Sequence, residues 1–229
     1  MKLKQELLER FVSKDVRVGV VGLGYVGLPL GLTFVYRGFD VIGFDPDPHK
    51  VEALRRERSY IQRIGAALSS RFQFSADFNR LSECEAIIAC VSARLSNRSG
   101  LEASLTATAQ RIKNRLRRGQ LILLESMAHP GTAEAVLKPL FEATGLRSGH
   151  DFFLAFSRER EDSAVLKPTA TAIPKLVGGC DPDAADLATA LYAQIFERIV
   201  RVTGTGNPDQ REESGSFVLD GRETRESAA

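Results

Sequence analysis

Residues 16–31 read VRVGVVGLGYVGLPLG, an apolar segment that runs into three closely spaced glycines. The apolar part, residues 16–21, predicts a β-strand, and Gly22, Gly24 and Gly27 follow in the spacing G-x-G-x-x-G. In such a loop the first glycine permits a tight turn, and the second lets a pyrophosphate approach the backbone. The third lets helix and strand pack closely. A helix beginning at Gly27 presents N–H groups and a positive dipole end to phosphates.

A carboxylate follows at the end of the next predicted strand. Asp45 comes directly after the strand candidate 40–44 and lies eighteen residues beyond Gly27. It can accept hydrogen bonds from both ribose hydroxyls and repels a 2′-phosphate, which favours NAD over NADP. Taken alone, the glycines fit an ordinary turn, and Asp45 fits the turn signal Asp-Pro-Asp-Pro. Together, in this context, they predict binding of a dinucleotide.

Strand-like and helix-like segments alternate along the rest of the chain. Further strand candidates are 86–91, 121–125, 152–155 and 199–202, and helix candidates are 27–37, 48–58, 101–117, 132–144 and 182–197. This alternation predicts an α/β fold over residues 16–202, a Rossmann-like doubly wound parallel sheet flanked by helices. We expect an amphipathic helix at 1–15 and a polar, disordered segment at 203–229.

Charge and cysteine usage exclude several classes of protein. The 229 residues carry 31 basic and 29 acidic side chains, so nothing favours nucleic acid or a membrane surface as a partner. The three cysteines have no CxxC spacing, and no metal-ligand cluster is evident. Residues 1–15 lack a signal-peptide pattern, so we expect a cytoplasmic protein. His129 beside the predicted cleft is either a general base or, with more weight, a solvated loop histidine.

Collinear phrases give the chain a family resemblance. It resembles the nucleotide-sugar 6-dehydrogenases, most closely the bacterial branch that acts on UDP-N-acetylglucosamine or UDP-N-acetylmannosamine in surface polysaccharide synthesis. The matching phrases are VVGLGYVGLP (20–29), GFDPD (43–47), SYI (59–61), RGQL (118–121), LES (124–126), PGT (130–132), FFLAFS (152–157), ERED (159–162), IPK (173–175) and VGG (177–179). They have the order and spacing of the NAD-binding domain with which such enzymes begin.

The resemblance implies roles for particular residues. These enzymes oxidise the sugar C6 hydroxyl to a carboxylate with two NAD. Seven residues are expected to bind the cofactor: Gly22, Gly24, Tyr25, Val26 and Gly27 at the pyrophosphate, Asp45 at the adenine ribose, and Lys50 beside it. Glu159 matches a glutamate that assists the chemistry. Its alternative interpretation is a surface carboxylate between two arginines.

Departures from the family pattern leave three interpretations of function. Ala93 and Met127 replace two threonines near the cofactor, and Arg158 replaces a proline. The resemblance implies a nucleophilic cysteine and a UDP-sugar domain; we expect neither in this chain, and we expect Cys84, Cys90 and Cys180 to be structural. In the first interpretation, the chain is a UDP-sugar 6-dehydrogenase by family and binds UDP-sugar only if that domain is supplied. In the second, it is a non-catalytic NAD-binding remnant or gene fragment. The third is a different Rossmann dehydrogenase. The phrase at 157–162 argues against a hydroxyacyl or phosphogluconate dehydrogenase.

Overall fold

The fold is described from a computed structural model of the chain. It covers residues 2–56, 70–91, 98–126, 131–158 and 174–202. The segment predicted to be disordered, 203–229, lies outside these residues. Among the helices of the described ranges, none combines the length and apolar character needed to cross a lipid bilayer.

One eight-stranded sheet organises the chain. Its strands are β1 (Arg17–Val21), β2 (Asp40–Phe44), β3 (Phe72–Ser75), β4 (Ala86–Val91), β5 (Leu121–Ser126), β6 (Phe153–Arg158), β7 (Lys175–Gly179) and β8 (Ile199–Arg201). The order across the sheet is β3-β2-β1-β4-β5-β6-β7-β8. The first six strands are parallel to one another, with Val21 opposite Phe44 on one side and Ala89 on the other. The doubly wound α/β fold predicted from the sequence is confirmed.

The last two strands depart from the parallel arrangement of the rest of the sheet. β7 runs antiparallel to β6, and β8 is parallel to β7. Reversed edge strands are common in otherwise parallel sheets. Neither β3 nor β7 was predicted, because β3 has four residues and β7 combines a lysine with two glycines, which are poor strand formers. Their pairing with neighbours decides their conformation.

Helices cover both faces of the sheet. They are α1 (Lys2–Ser13), α2 (Gly27–Tyr36), α3 (Pro48–Arg56), α4 (Arg98–Lys113), α5 (Lys138–Glu142) and α6 (Pro182–Ala193), with a 3₁₀ helix at Phe78–Glu83. A π-helical turn, Ala133–Leu137, precedes α5 where one continuous helix, 132–144, was predicted. Pro139 explains the difference, since it has no N–H to continue the α-helical hydrogen bonds.

Two apolar clusters fill the space between the helices and the sheet. One lies under α1, α2 and α6 and includes Phe11, Phe34 and Tyr192. The other lies under α4 and α5 and includes Ile112 and Phe141. Because both faces of the central strands are covered, these strands consist of nearly continuous apolar residues.

A buried polar network joins β5, β7 and α6. Lys175 forms an ion pair with Glu125, which is 1% exposed. The fully buried Tyr192 hydroxyl donates a hydrogen bond of 2.7 Å to the other oxygen of this carboxylate. Burial, and next the nearby charge of Glu125, raises the pKa of Tyr192 well above its usual range. The tyrosine therefore stays protonated and donates to the carboxylate.

Candidate functional site

The carboxyl ends of β1, β2 and β4 enclose a cleft. From β1 the chain passes through α2 to β2 on one side, whereas β4 lies on the other side of β1. Such a switch point is where doubly wound sheets bind ligands. The cleft is lined by every residue that the sequence assigned to a cofactor: Gly22, Gly24, Tyr25, Val26, Gly27, Asp45 and Lys50.

The three glycines meet three different spatial demands. Gly22 has φ +95°, and a Cβ on it would lie 2.4 Å from the carbonyl oxygen of Cys90. On Gly27, a Cβ would lie 1.9 Å from the carbonyl oxygen of Gly22, so α2 can approach β1 only with glycine there. At Gly24 a Cβ would meet no atom within 4 Å. The chain's own packing therefore does not explain Gly24, whereas close approach of a ligand does.

The start of α2 faces the cleft. Val26 occupies the N-cap position, and no side chain caps the helix there. Within the first turn, the N–H of Leu28 donates to the carbonyl oxygen of Gly24 at 3.2 Å. A helix start without a side-chain cap leaves its dipole end available to an anion. Tyr25, 55% exposed, lies beside it at the mouth of the cleft.

Asp45 is buried at the end of β2, where two backbone N–H groups and one ammonium group hold its carboxylate. Oδ2 accepts from the N–H of Leu23 at 3.0 Å and from Nζ of Lys50 at 2.6 Å. Oδ1 accepts from the N–H of Asp47 at 3.2 Å. A carboxylate has about four lone-pair positions, so Asp45 can accept about one further hydrogen bond while Lys50 stays in place.

Lys50 reaches Asp45 from the first turn of α3. Asp47 accepts hydrogen bonds from the N–H groups of His49 at 2.9 Å and of Lys50 at 3.4 Å, in the manner of an N-cap. The turn signal Asp-Pro-Asp-Pro thus starts the helix that carries the lysine. Its side chain is 39% exposed, so Nζ can also donate to a ligand in the cleft.

The opposite wall of the cleft was not predicted from the sequence. It is formed by Phe78 from the 3₁₀ helix and by Ser104, Thr108 and Arg111 from α4. The side chains on α4 follow helical spacing, but they resemble an ordinary polar face. Only packing of α4 beside β4 assigns that face to the cleft. Pro46, Cys90 and Val91 complete the lining.

Several residues singled out in the sequence lie elsewhere or outside the described ranges. Glu159, Met127 and Ala93 fall outside them. Cys84 and Cys180 are free thiols, and burial raises the pKa of Cys84 to about 12 and that of Cys180 further. Such thiols are poor nucleophiles at neutral pH. Within the described residues, no group of three or more His, Cys, Asp or Glu side chains can hold a metal ion.

The lining fits part of a dinucleotide on three grounds. There is open space at Gly24, an uncapped helix start suited to phosphates, and a carboxylate at Asp45 with room for a hydroxyl donor. These features correspond to the phosphate and ribose sites of the Rossmann pattern.

Known proteins are similar to this chain in sequence and in fold. The model of the UDP-glucose/GDP-mannose dehydrogenase family, NAD binding domain, matches residues 16–196. UDP-N-acetyl-D-glucosamine 6-dehydrogenase of Pseudomonas aeruginosa is 31% identical over 80% of this chain and 44% of its own length. The structure of the UDP-D-ManNAc dehydrogenase of Pyrococcus horikoshii superposes with a TM-score of 0.70 at 29% identity, covering 82% of this chain and 47% of that one.

A hydroxyacyl-type neighbour shares the fold alone. The (S)-3-hydroxybutyryl-CoA dehydrogenase of Ralstonia eutropha superposes with a TM-score of 0.58 at 16% identity, covering 81% of this chain and 62% of that one. The chain spans about half the length of the nucleotide-sugar dehydrogenases that it matches. It belongs to the UDP-glucose/GDP-mannose dehydrogenase family and carries the family's NAD-binding domain.

Proposed function

We propose that the cleft at the ends of β1 and β2 is the NAD site of this chain. The pyrophosphate lies against Gly22, Gly24 and the start of α2, and the adenine ribose lies against Asp45. The open space at Gly24 carries the proposal, because nothing in the chain's own packing requires glycine there. The backbone N–H groups and dipole at the helix start stabilise the phosphate charge.

Asp45 and Lys50 act together on the ribose. Asp45 has about one acceptor position left while Lys50 is bound to it, so it takes one ribose hydroxyl. The second hydroxyl accepts a hydrogen bond from Lys50, or Lys50 moves aside and leaves Oδ2 to it. In either arrangement the carboxylate favours a free 2′-hydroxyl over a 2′-phosphate.

We further propose that the chain is the cofactor-binding part of an oxidoreductase for a UDP-N-acetylhexosamine, the substrate class in the names of its relatives. NAD held in this cleft would supply the acceptor for a hydride from the sugar C6 carbon. Glu159, immediately after β6, is the proposed assisting carboxylate. The free thiols agree with a reducing compartment, and we propose the cytoplasm.

A second candidate function is NAD binding without sugar oxidation. Ala93 and Met127 stand where the family has threonines near the cofactor, and neither side chain donates a hydrogen bond. Formation of NADH with UDP-N-acetylglucosamine or UDP-N-acetylmannosamine distinguishes the two candidates. Turnover contradicts the non-catalytic function, and binding without turnover supports it.

The NAD site is tested by calorimetric titration of the chain and of two aspartate variants. Asp45→Ala removes a charged acceptor, and we expect an NAD Kd at least about tenfold higher, corresponding to about 1.5–3 kcal/mol. Asp40→Ala is the matched control, because it removes a half-exposed carboxylate from the opposite end of the same strand.

The control should bind NAD as the parent chain does. Thermal unfolding of each variant verifies that it is folded under the titration conditions. An unchanged Kd in folded Asp45→Ala contradicts the assigned site, and absence of NAD binding by the parent chain contradicts the proposed function.

A further inference from the structure

An arginine–phenylalanine contact forms part of the cleft wall. The guanidinium carbon of Arg111 lies 5.2 Å from the ring centroid of Phe78. Phe78 itself packs against Phe44 at the end of β2, with 5.7 Å between ring centroids. Both Arg111 and Phe78 line the cleft that contains Asp45. The aromatic face is therefore anchored to the sheet, and the cation lies over it.

Arg111 is held lightly compared with Phe78. Its Nη1 donates to the carbonyl oxygen of Ala107, one turn earlier in α4, at 3.2 Å. The arginine side chain is long and half-buried, whereas the half-buried Phe78 packs against the apolar cluster under α4. Of the two groups, the guanidinium is the one able to move when a ligand enters.

The present spacing leaves no room for a base between the two groups. A flat ring stacks at about 3.5 Å from its neighbour, so a base between Phe78 and Arg111 needs about 7 Å. The observed distance is 5.2 Å. A base can enter only if the guanidinium moves outward, so that it leaves the Phe78 ring and stacks on the base instead. Arginine stacks on either kind of ring through its planar cation.

We propose that Arg111 is a displaceable lid over the adenine of the bound dinucleotide, with Phe78 as the opposite wall. This rests on the proposed function, because Asp45 must hold the ribose for adenine to reach the Phe78 end. Thr108 and Ser104, one and two turns before Arg111 on α4, provide hydroxyls at the same wall. Arg111 is thus a specificity-determining residue: it contributes affinity for ligands that carry adenosine.

The test compares ADP with inorganic pyrophosphate, which has the phosphates without the adenosine. Competition against NAD measures both dissociation constants in the parent chain, Arg111→Ala and Lys113→Ala. Lys113 lies on the same helix and is absent from the cleft lining. Its variant is the matched control, because it removes one positive charge, as Arg111→Ala does. We expect Arg111→Ala to raise the ADP Kd about three- to tenfold, with pyrophosphate changed less than about twofold.

Three results overturn the role of Arg111. They are equal losses for ADP and pyrophosphate, equal effects of the two α4 variants, and an unchanged ADP Kd. Failure of the parent chain to bind NAD and ADP instead contradicts the proposed function itself.

A second variant separates stacking from charge. Arg111→Lys keeps the positive charge but loses the planar cation. We expect its ADP Kd to lie closer to that of Arg111→Ala than to that of the parent chain. Full ADP affinity in Arg111→Lys means that the charge alone acts, which contradicts the stacking lid.

Discussion

At the scale of single residues, some glycines of the loop are required for folding, whereas another leaves space for a ligand. Gly22 and Gly27 are required by the chain itself, because a Cβ at either position would lie within 2.4 Å of a backbone oxygen. Gly24 faces open space. The three members of one sequence pattern therefore have different physical causes, and substitutions can distinguish them.

We predict opposite effects of alanine at two of these positions. The free energy of unfolding of Gly24→Ala should lie within about 0.5 kcal/mol of that of the parent chain. Its NAD Kd should rise, because the new methyl group occupies ligand space. Gly27→Ala should lower the free energy of unfolding by about 3 kcal/mol or more, because its Cβ would lie 1.9 Å from the Gly22 carbonyl oxygen. Urea unfolding and NAD titration measure the two effects. Equal destabilisation by both substitutions would contradict the assignment.

At the scale of secondary-structure elements, the ion pair of Glu125 and Lys175 joins strands that are not neighbours. β5 and β7 are separated by β6, and the network is completed by Tyr192 on α6. A buried ion pair contributes little net stability compared with apolar packing, but loss of one partner leaves an unpaired buried charge. The network therefore depends strongly on being complete.

The prediction for this network is a thermodynamic rescue. Lys175→Met should lower the free energy of unfolding by about 3–5 kcal/mol, because the buried carboxylate of Glu125 loses the cation that pairs with it. Adding Glu125→Gln removes that charge and leaves an amide oxygen that can accept from Tyr192. We expect the double variant to recover at least about half of the loss. If urea unfolding finds the double variant no more stable than the single one, the explanation is wrong.

At the scale of the whole molecule, the N-terminal helix is part of the core. The family match begins at residue 16, yet Leu7 and Phe11 of α1 are buried in the cluster that also contains residues of α2 and α6. Lys4 extends Nζ to within 2.6 Å of both Asp183 and Asp186 on α6. Hydrogen bonds to these two aspartates raise the pKa of Lys4. The domain boundary at residue 16, drawn from the sequence, remains a prediction.

Truncation of one side chain tests the contribution of α1 to the whole fold. Phe11→Ala should lower the free energy of unfolding by about 3–5 kcal/mol, because Phe11 is completely buried. The adjacent Val12 is 69% exposed, and Val12→Ala should remain within about 0.5 kcal/mol of the parent chain. Differential unfolding in urea compares the two. A small effect of Phe11→Ala would mean that the sheet and its other helices fold without α1.

The sequence by itself determined the features that depend on local chemistry. Strand, glycine turn, helix and a carboxylate at the next strand end follow from neighbouring residues, so the loop at 22–27 and Asp45 were predictable, as was the doubly wound sheet. The pairing of Lys50 with Asp45 was anticipated as proximity only, and a separation of five residues within one turn and helix makes it nearly local.

Only the tertiary structure decided the features that join distant parts of the chain. The contact of Glu125 with Lys175 spans 50 residues and that with Tyr192 spans 67, and no sequence pattern pairs them. The reversal of β7 and β8 and the wall formed by Phe78 and Arg111 likewise depend on which surfaces pack together. Such packing is selected by burial and steric fit over the whole molecule, whereas the glycine loop is selected by the backbone conformations that its own residues allow.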